Sequence, residues 1–175
     1  MQEIIVDEGK IKCLITGKMR KATPEEYVRQ EYCRILLDVY KYPKSHIDVE
    51  YSIKVGSTDK RCDIVVFNDE EKSQDNIYWI VETKKKDEKE GVDQLWSYMS
   101  ATTASFGTWT NGDSILFYYK DAARPNCYTE LPDIPKYKES VDSIGKYNKS
   151  DLVKCTDLKG VFKRCNNYFF SNQGL

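Results

Sequence analysis

The 175-residue chain has a single histidine, His46, and none of its six cysteines form a Cys-x-x-Cys pair, so neither a zinc-finger pattern nor a dithiol redox motif is present. No apolar run approaches the ~20 residues of a membrane-spanning helix, and the N-terminus lacks the basic-then-apolar pattern of a secretory signal. A Gly-x-x-x-x-Gly-Lys-Ser/Thr phosphate loop is also missing, so no ATP site of that kind lies within this chain. Excess positive charge is lacking as well. With 27 Lys and Arg against 28 Asp and Glu the net charge is −1, and any contact with a polyanion has to come from local patches. These absences describe a cytoplasmic protein with reduced thiols, Cys33 and Cys62 buried among them, and His46 on a surface loop. A hydrophobic content of 40% beside 31% charged residues is that of a folded globule, and the length suits one domain or one with an appendage.

What the chain does have is charge at the ends of two apolar strands. Arg61-Cys62-Asp63-Ile64-Val65-Val66-Phe67 is followed by the mostly polar loop Asn68 to Asn76, then by Ile77-Tyr78-Trp79-Ile80-Val81-Glu82-Thr83-Lys84. In an antiparallel hairpin the charged ends lie side by side, and alternation puts Glu82 and Lys84 on one face. Symmetric closure of the loop sets Asp63 opposite Val81. A one-residue change of register brings Glu82 opposite instead, and any slip reverses the faces. Directly opposed Cβ atoms stand ~4.5–5.5 Å apart, close enough for Asp63 and Glu82 to grip one Mg²⁺ with oxygen ligands at ~2.0–2.1 Å, the backbone carbonyl of Thr83 adding another. Mg²⁺, with Mn²⁺ as a substitute, suits a carboxylate site that has no His or Cys cluster. Such an ion polarises a scissile phosphate and acidifies the attacking water. Lys84 would hold that water, act as its base if its pKa is depressed, or neutralise charge gathering on the phosphate.

The competing reading is plain: Glu-x-Lys is often a solvated strand face, and Asp63 and Glu82 could simply pair with neighbouring bases. The near-continuous apolar runs Ile64–Phe67 and Ile77–Val81 are those of strands covered on both faces, and charges at the edge of such a core need partners or a task. A shared site requires both carboxylates to point into one gap rather than at Arg or Lys.

Around this hairpin, Glu3 to Val6 and Lys10 to Ile15 read as a short N-terminal hairpin about Asp7-Glu8-Gly9. Thr23 caps a helix with Pro24 at its first position, and Glu26, three residues after the cap, has a capping role open to it besides any metal role. Tyr27, Val28, Tyr32, Ile35, Leu36 and Val39 form the apolar stripe of that helix, which ends near Tyr42-Pro43. Ile47 to Val55 alternates cleanly as a strand, and Gly56-Ser57-Thr58 turns it toward Asp63. A second helix, from about Glu90 to Ser105, turns Val92, Leu95, Trp96 and Met99 to the sheet. Gln94 and Tyr98, four apart, share a neighbouring face from which they would hydrogen-bond a phosphate or orient Lys84. Phe106–Thr110 and Ile115–Tyr119 flank an Asn111-Gly112 turn. Lys18, Arg20, Lys21, Arg29, Arg34 and Lys84 to Lys86 are the cations available for a duplex. Beyond Lys120 the prolines 125, 132 and 135 mark an irregular segment, then Asp157 opens a short helix through Leu158, Val161, Phe162 and Cys165. Tyr168-Phe169-Phe170 is apolar for a free terminus and reads as a junction to a further domain. The resulting spans are 1–20, an N-terminal extension; 21–120, a core; and 121–175, a C-terminal extension.

The Asp63 strand with Val81-Glu82-Thr83-Lys84 resembles the core of the PD-(D/E)XK nuclease superfamily, Cys62 standing where the name-giving proline would be. Thr23-Pro24-Glu25-Glu26-Tyr27-Val28-Arg29-Gln30 before it and Gln94-Leu95-Trp96-Ser97-Tyr98 after it resemble the N-terminal endonuclease domain of type I restriction enzyme R subunits. The likeness spans Thr23 to Tyr119. It implies an α/β (α+β) fold with a central mixed β-sheet flanked by helices, restriction-endonuclease-like, and a Mg²⁺-dependent hydrolase acting on double-stranded DNA beside further domains or subunits. By this resemblance Asp63, Glu82 and Lys84 take the catalytic positions, Gln94 and Tyr98 the accessory ones, and Glu26 that of the first-helix acid, with Glu31 its rival. A catalytically silent nucleic-acid-binding or docking module of a restriction assembly is the alternative.

Overall fold

The two helices pack on opposite faces of one sheet, and two breaks in strand alternation decide which side chains reach which face. A computed structural model describes residues 4, 6–121, 123–124 and 127–144. An N-terminal three-stranded antiparallel sheet comes first, with β1 (Val6–Asp7), β2 (Lys10–Lys12) and β3 (Met19–Lys21). Glu8 and Gly9, both at positive φ, make its first turn where the sequence put it. Helix α1 (Pro24–Asp38) then starts at Thr23, whose hydroxyl accepts the Glu26 amide. Strands β4 (Ile47–Val55), β5 (Thr58–Phe67) and β6 (Ile77–Thr83), helix α2 (Val92–Ser100), and strands β7 (Phe106–Thr110), β8 (Ile115–Lys120) and β9 (Tyr128–Leu131) complete the described fold. The second sheet runs β4-β5-β6-β7-β8-β9. All its neighbours are antiparallel except β6 and β7, whose parallel pairing needs the crossover through α2. This is the mixed sheet flanked by helices that the resemblance implies.

One core, on the α1 side, gathers Tyr32, Cys33 and Leu36 with Ile64, Val66, Trp79 and Val81. Trp79 is its centre, ringed edge-on by Tyr32, Tyr40 and Tyr42 and donating its indole N–H to Thr108 at 2.9 Å. The other core packs Leu95, Tyr98 and Met99 of α2 on Val65, Phe67, Ile77, Ile80 and Trp109. Ile64 to Phe67 of β5 alternate between the two, as do Trp79 to Val81 of β6, so these stretches are buried on both faces.

The first break is at Glu50. Val49 pairs with Ile64 and Tyr51 with Cys62, while Glu50 and Asp63 between them are unpaired and Glu50 sits at φ 53°. Ile47 and Val49 before it belong to the α1 core, whereas Ile53 and Cys62 after it belong to the α2 core. The clean alternation of this strand therefore serves two faces rather than one. The second break is a bulge: Phe67 pairs with Ile77 but Val66 with Trp79, which leaves Tyr78 as an extra residue on β6.

Several expectations need amendment. Helix α2 is shorter than the span 90–105, because Gly91 at φ 114° precedes its first turn and Ala101 closes its last. His46 is not a surface residue: it lies buried in a short 3₁₀ turn, edge-on to Tyr137. The turn after β7 takes the four residues 111–114, tied by the Asn111 side chain, which accepts from the amides of Asp113 and Ser114. Part of the segment read as irregular supplies the sixth strand, β9, and the buried Ile134. The helix expected from Asp157 and the apolar Tyr168-Phe169-Phe170 lie outside the described residues. Among the described residues no helix is long and apolar enough to cross a membrane.

Candidate active site

Asp63 occupies the gap in the ladder beside Glu50. Its Oδ2 accepts from the Thr83 amide at 2.8 Å and the Thr83 hydroxyl at 3.0 Å, and its Oδ1 takes the Arg29 guanidinium at 2.8 Å. The contact with Thr83 is a consequence of the bulge. Ile64 lies opposite Val81, the one-residue change from symmetric closure, so Asp63 arrives at the Glu82–Thr83 end of β6. Thr83 reaches the site through its N–H and hydroxyl, both gripping Asp63.

Glu82 is 2% exposed. Its Oε1 accepts from the Lys84 ammonium at 2.8 Å, and its buried Oε2 has no partner. Burial, and next the negative charge of Asp63, push its carboxyl from the ordinary 4.5 up to about 7. The same interaction shows that the two acids share one electrostatic neighbourhood. Lys84 answers to opposing effects: burial pulls its pKa down, but the hydrogen bond and charge of Glu82 outweigh that and leave it raised. It is an ammonium at neutral pH, which disfavours the general-base role that a depressed pKa would have allowed.

Helix α2 extends this chain of contacts. Lys84 Nζ lies 3.4 Å from Gln94 Oε1, and Gln94 Nε2 donates to the Tyr98 hydroxyl at 2.7 Å. Gln94 thus touches Lys84 directly, and Tyr98 reaches it only through Gln94. The close approach depends on Gly91. A Cβ there would stand 2.5 Å from Lys84 Cε and 3.1 Å from Trp109 Nε1. The loop carrying Gly91 is pinned by Trp109 Nε1 on the Glu90 carbonyl and Asn111 Nδ2 on the Glu88 carbonyl, both at 2.9 Å. A groove of ≈ 640 Å³, lined by Lys84, Gln94 and the residues 88–93 between the strand and the helix, opens beside the ammonium.

On the α1 side lies a cluster that the sequence did not reveal. Arg29 Nη1 bonds Glu26 at 2.7 Å and Glu50 at 3.2 Å, while Nη2 holds Asp63 and approaches Glu25 at 3.8 Å. Arg20 bonds Glu50 at 2.6 Å and lies 3.9 Å from Glu26. Glu26 also accepts from Gln30 at 2.7 Å, so it joins the site only through Arg29, and its carboxylate serves neither a capping box nor a direct contact with Asp63. Glu31 is elsewhere, paired with Arg34. Arg20 and Arg29, counted in the sequence as cations for a duplex, have side chains only 18% and 8% exposed and act as internal counter-ions. The sequence signals for this were the i, i+3 spacing of Glu26 and the i, i+4 spacing of Glu25 to Arg29; Glu50 looked like any polar residue on an alternating strand.

Among the described residues no three Asp, Glu, His or Cys side chains form a metal-binding group. What the structure brings together is a pair of carboxylates, each bonded to a cation, Arg29 on Asp63 and Lys84 on Glu82, so the requirement that both point into one gap rather than at Arg or Lys is not met by the arrangement as it stands. The five carboxylates Glu25, Glu26, Glu50, Asp63 and Glu82 outnumber the three cations Arg20, Arg29 and Lys84 paired with them, an imbalance eased by the raised carboxyls of Glu82 and Glu25 and by the charge of Arg61 acting on Glu50. The unpartnered Oε2 of Glu82 and its elevated pKa are the local symptoms. A hard divalent cation with oxygen ligands fits this donor set.

No curated protein and no solved structure matches the chain. A family model described as type I restriction enzyme R protein N terminus matches residues 24–135, from the start of α1 to just past β9.

Proposed function

The chain belongs to the family of type I restriction enzyme R protein N-termini, and from that membership together with the Asp63–Glu82–Lys84 geometry we propose that it is a Mg²⁺-dependent DNA endonuclease domain of a restriction-modification system. The observation that carries the reading is the buried, unpartnered Oε2 of Glu82, in a cluster whose acids outnumber the cations paired with them. Asp63 and Glu82 would hold the ion, with the Thr83 carbonyl alongside. When bound, the ion supplies Lewis acidity to the scissile phosphate and to the attacking water.

The chain's own residues do the rest. Thr83 fixes Asp63 through two hydrogen bonds, so that carboxylate keeps one orientation as charge changes around it. Lys84 stays protonated and stands ready to neutralise charge developing on the phosphate. Gln94 and Tyr98 hold its ammonium toward the groove along α2. Duplex contacts fall to exposed lysines: Lys10, Lys12, Lys18 and Lys21 of the N-terminal sheet form no ion pair with a described residue. Lys10 and Lys21 stand directly opposite each other, an arrangement of like charges that a polyanion would relieve. Translocation would be the work of further domains or subunits.

The seat of Arg29 on Asp63 favours a second reading, a catalytically silent DNA-binding or docking module. Plasmid nicking with Mg²⁺ separates the two. The endonuclease reading expects nicking that chelator abolishes, that Mn²⁺ restores, and that Glu82→Gln and Lys84→Ala each reduce by at least ~100-fold. Equal nicking by wild type and Glu82→Gln would leave the silent module standing.

A further inference from the structure

We propose that Arg29 is a built-in place-holder for the divalent ion: it neutralises Asp63 while the site is empty and passes its second amino group to Glu25 when the ion arrives. The proposal rests on the metal-site reading above. Its geometric basis is the division of labour across the guanidinium. Nη1 is anchored by Glu26 at 2.7 Å and Glu50 at 3.2 Å and would not need to move. Nη2 alone engages Asp63, at 2.8 Å, and already has Glu25 Oε1 at 3.8 Å as a second acceptor. Nε is buried without a partner, so nothing ties the guanidinium to its present rotation on that edge.

Asp63 is the point of competition. Both hydrogen bonds from Thr83 fall on Oδ2, leaving Oδ1 as the oxygen with acceptor capacity for an ion, and Oδ1 is the one Arg29 holds. A dication and a guanidinium on one carboxylate oxygen repel each other, so occupancy by one weakens the other. Glu25 is the natural receiver: its carboxyl is raised by burial and then by the charge of Asp63, and a cation moving toward it relieves both. The device keeps Asp63 paired in the empty protein, where an unneutralised acid at the core's edge would be costly. It also makes the site respond to divalent ions rather than to monovalent ones, which bring too little charge to displace a bidentate-capable arginine.

Titration calorimetry of the full chain with MgCl₂ alone, without DNA, tests this by the sign of the change. Removing a competitor tightens binding, so Arg29→Ala should bind Mg²⁺ about tenfold more tightly than wild type, the scale of one charge-assisted hydrogen bond. If Arg29 merely braced Asp63, its loss would loosen the carboxylate and weaken binding. Arg20→Ala removes the same charge from the same cluster without touching Asp63, and should change the affinity less than about twofold. Equal tightening by both variants would reduce the effect to diffuse charge and overturn the proposal. Should Arg29→Ala not fold, Arg29→Gln is titrated in its place. Wild-type protein gives an independent readout: the Arg29 side-chain ¹⁵N resonances should shift on Mg²⁺ addition, and unchanged resonances at saturation would also overturn it. Failure of the underlying site is distinguishable. If Glu82→Gln binds Mg²⁺ as wild type does, or wild type shows no saturable binding, the metal-site reading falls and the place-holder with it. Saturable binding abolished in Glu82→Gln but not tightened in Arg29→Ala removes the place-holder alone.

Discussion

Glu82 is the residue whose ionisation the fold resists most visibly. Its carboxyl is raised from 4.5 to about 7 by burial and then by Asp63, so the native state binds a proton that the unfolded chain has already lost over that interval. Stability from the neutral form is therefore complete below about pH 4.5 and disappears as pH rises through about 7. Glu82→Gln stays neutral throughout. Its stability relative to wild type should rise between pH 5 and pH 8 by on the order of 1–3 kcal/mol, measured by urea unfolding at the two values. Adding Mg²⁺ at pH 8 should stabilise wild type and leave the variant unmoved. A pH-independent difference would mean that Glu82 ionises freely. Asp63, Glu82 and Lys84 were legible in the sequence because charge at the end of an apolar strand is rare enough to notice. Arg29 and Glu50 were not, since their importance lies in partners 34 and 21 positions away, to which no local spacing points.

At the scale of elements, Thr23 and Pro24 mark the start of α1 and the alternation of Ile47–Val55 marks β4, whereas α1 stops at Asp38, short of Tyr42-Pro43, and β3 and β9 form where the sequence pattern shows no strand. What periodicity could not give was phase. The unpaired Glu50 and the extra Tyr78 each reverse which side chains face which core, and both depend on pairing with a distant strand. The bulge in particular selects, of the two registers open to the hairpin, the one-residue change that carries Asp63 past Val81 to the Glu82–Thr83 end of β6. Helix α2 shows the same dependence at its start. Gly91 looks like an ordinary loop residue, yet it needs φ 114° and closes against Lys84. Gly91→Ala should cost about 1–2 kcal/mol from backbone strain, and its Cβ should drive the ammonium off Glu82. Nicking would then fall in step with Lys84→Ala, while the far-UV circular dichroism stays native. Full activity in Gly91→Ala would show that the seat of Lys84 is not required.

Across the whole molecule a net charge of −1 conceals a sorting of cations. Arg20, Arg29 and Lys84 are turned inward onto five acids, and the unpaired lysines of the N-terminal sheet are turned out. In the inner set the acids outnumber the cations paired with them, and under the proposed function the outer set would be the surface for phosphates. Both arrangements come from tertiary pairing, which is why composition alone spoke neither for nor against a nuclease. The most direct test is a crystal of the protein soaked in Mn²⁺ and measured at the manganese edge. The predicted result is an anomalous peak at coordination distance from one oxygen of Asp63 and one of Glu82, with the Arg29 guanidinium turned toward Glu25. A peak touching only one of these carboxylates, or none at all while Arg29 remains seated on Asp63, would contradict it.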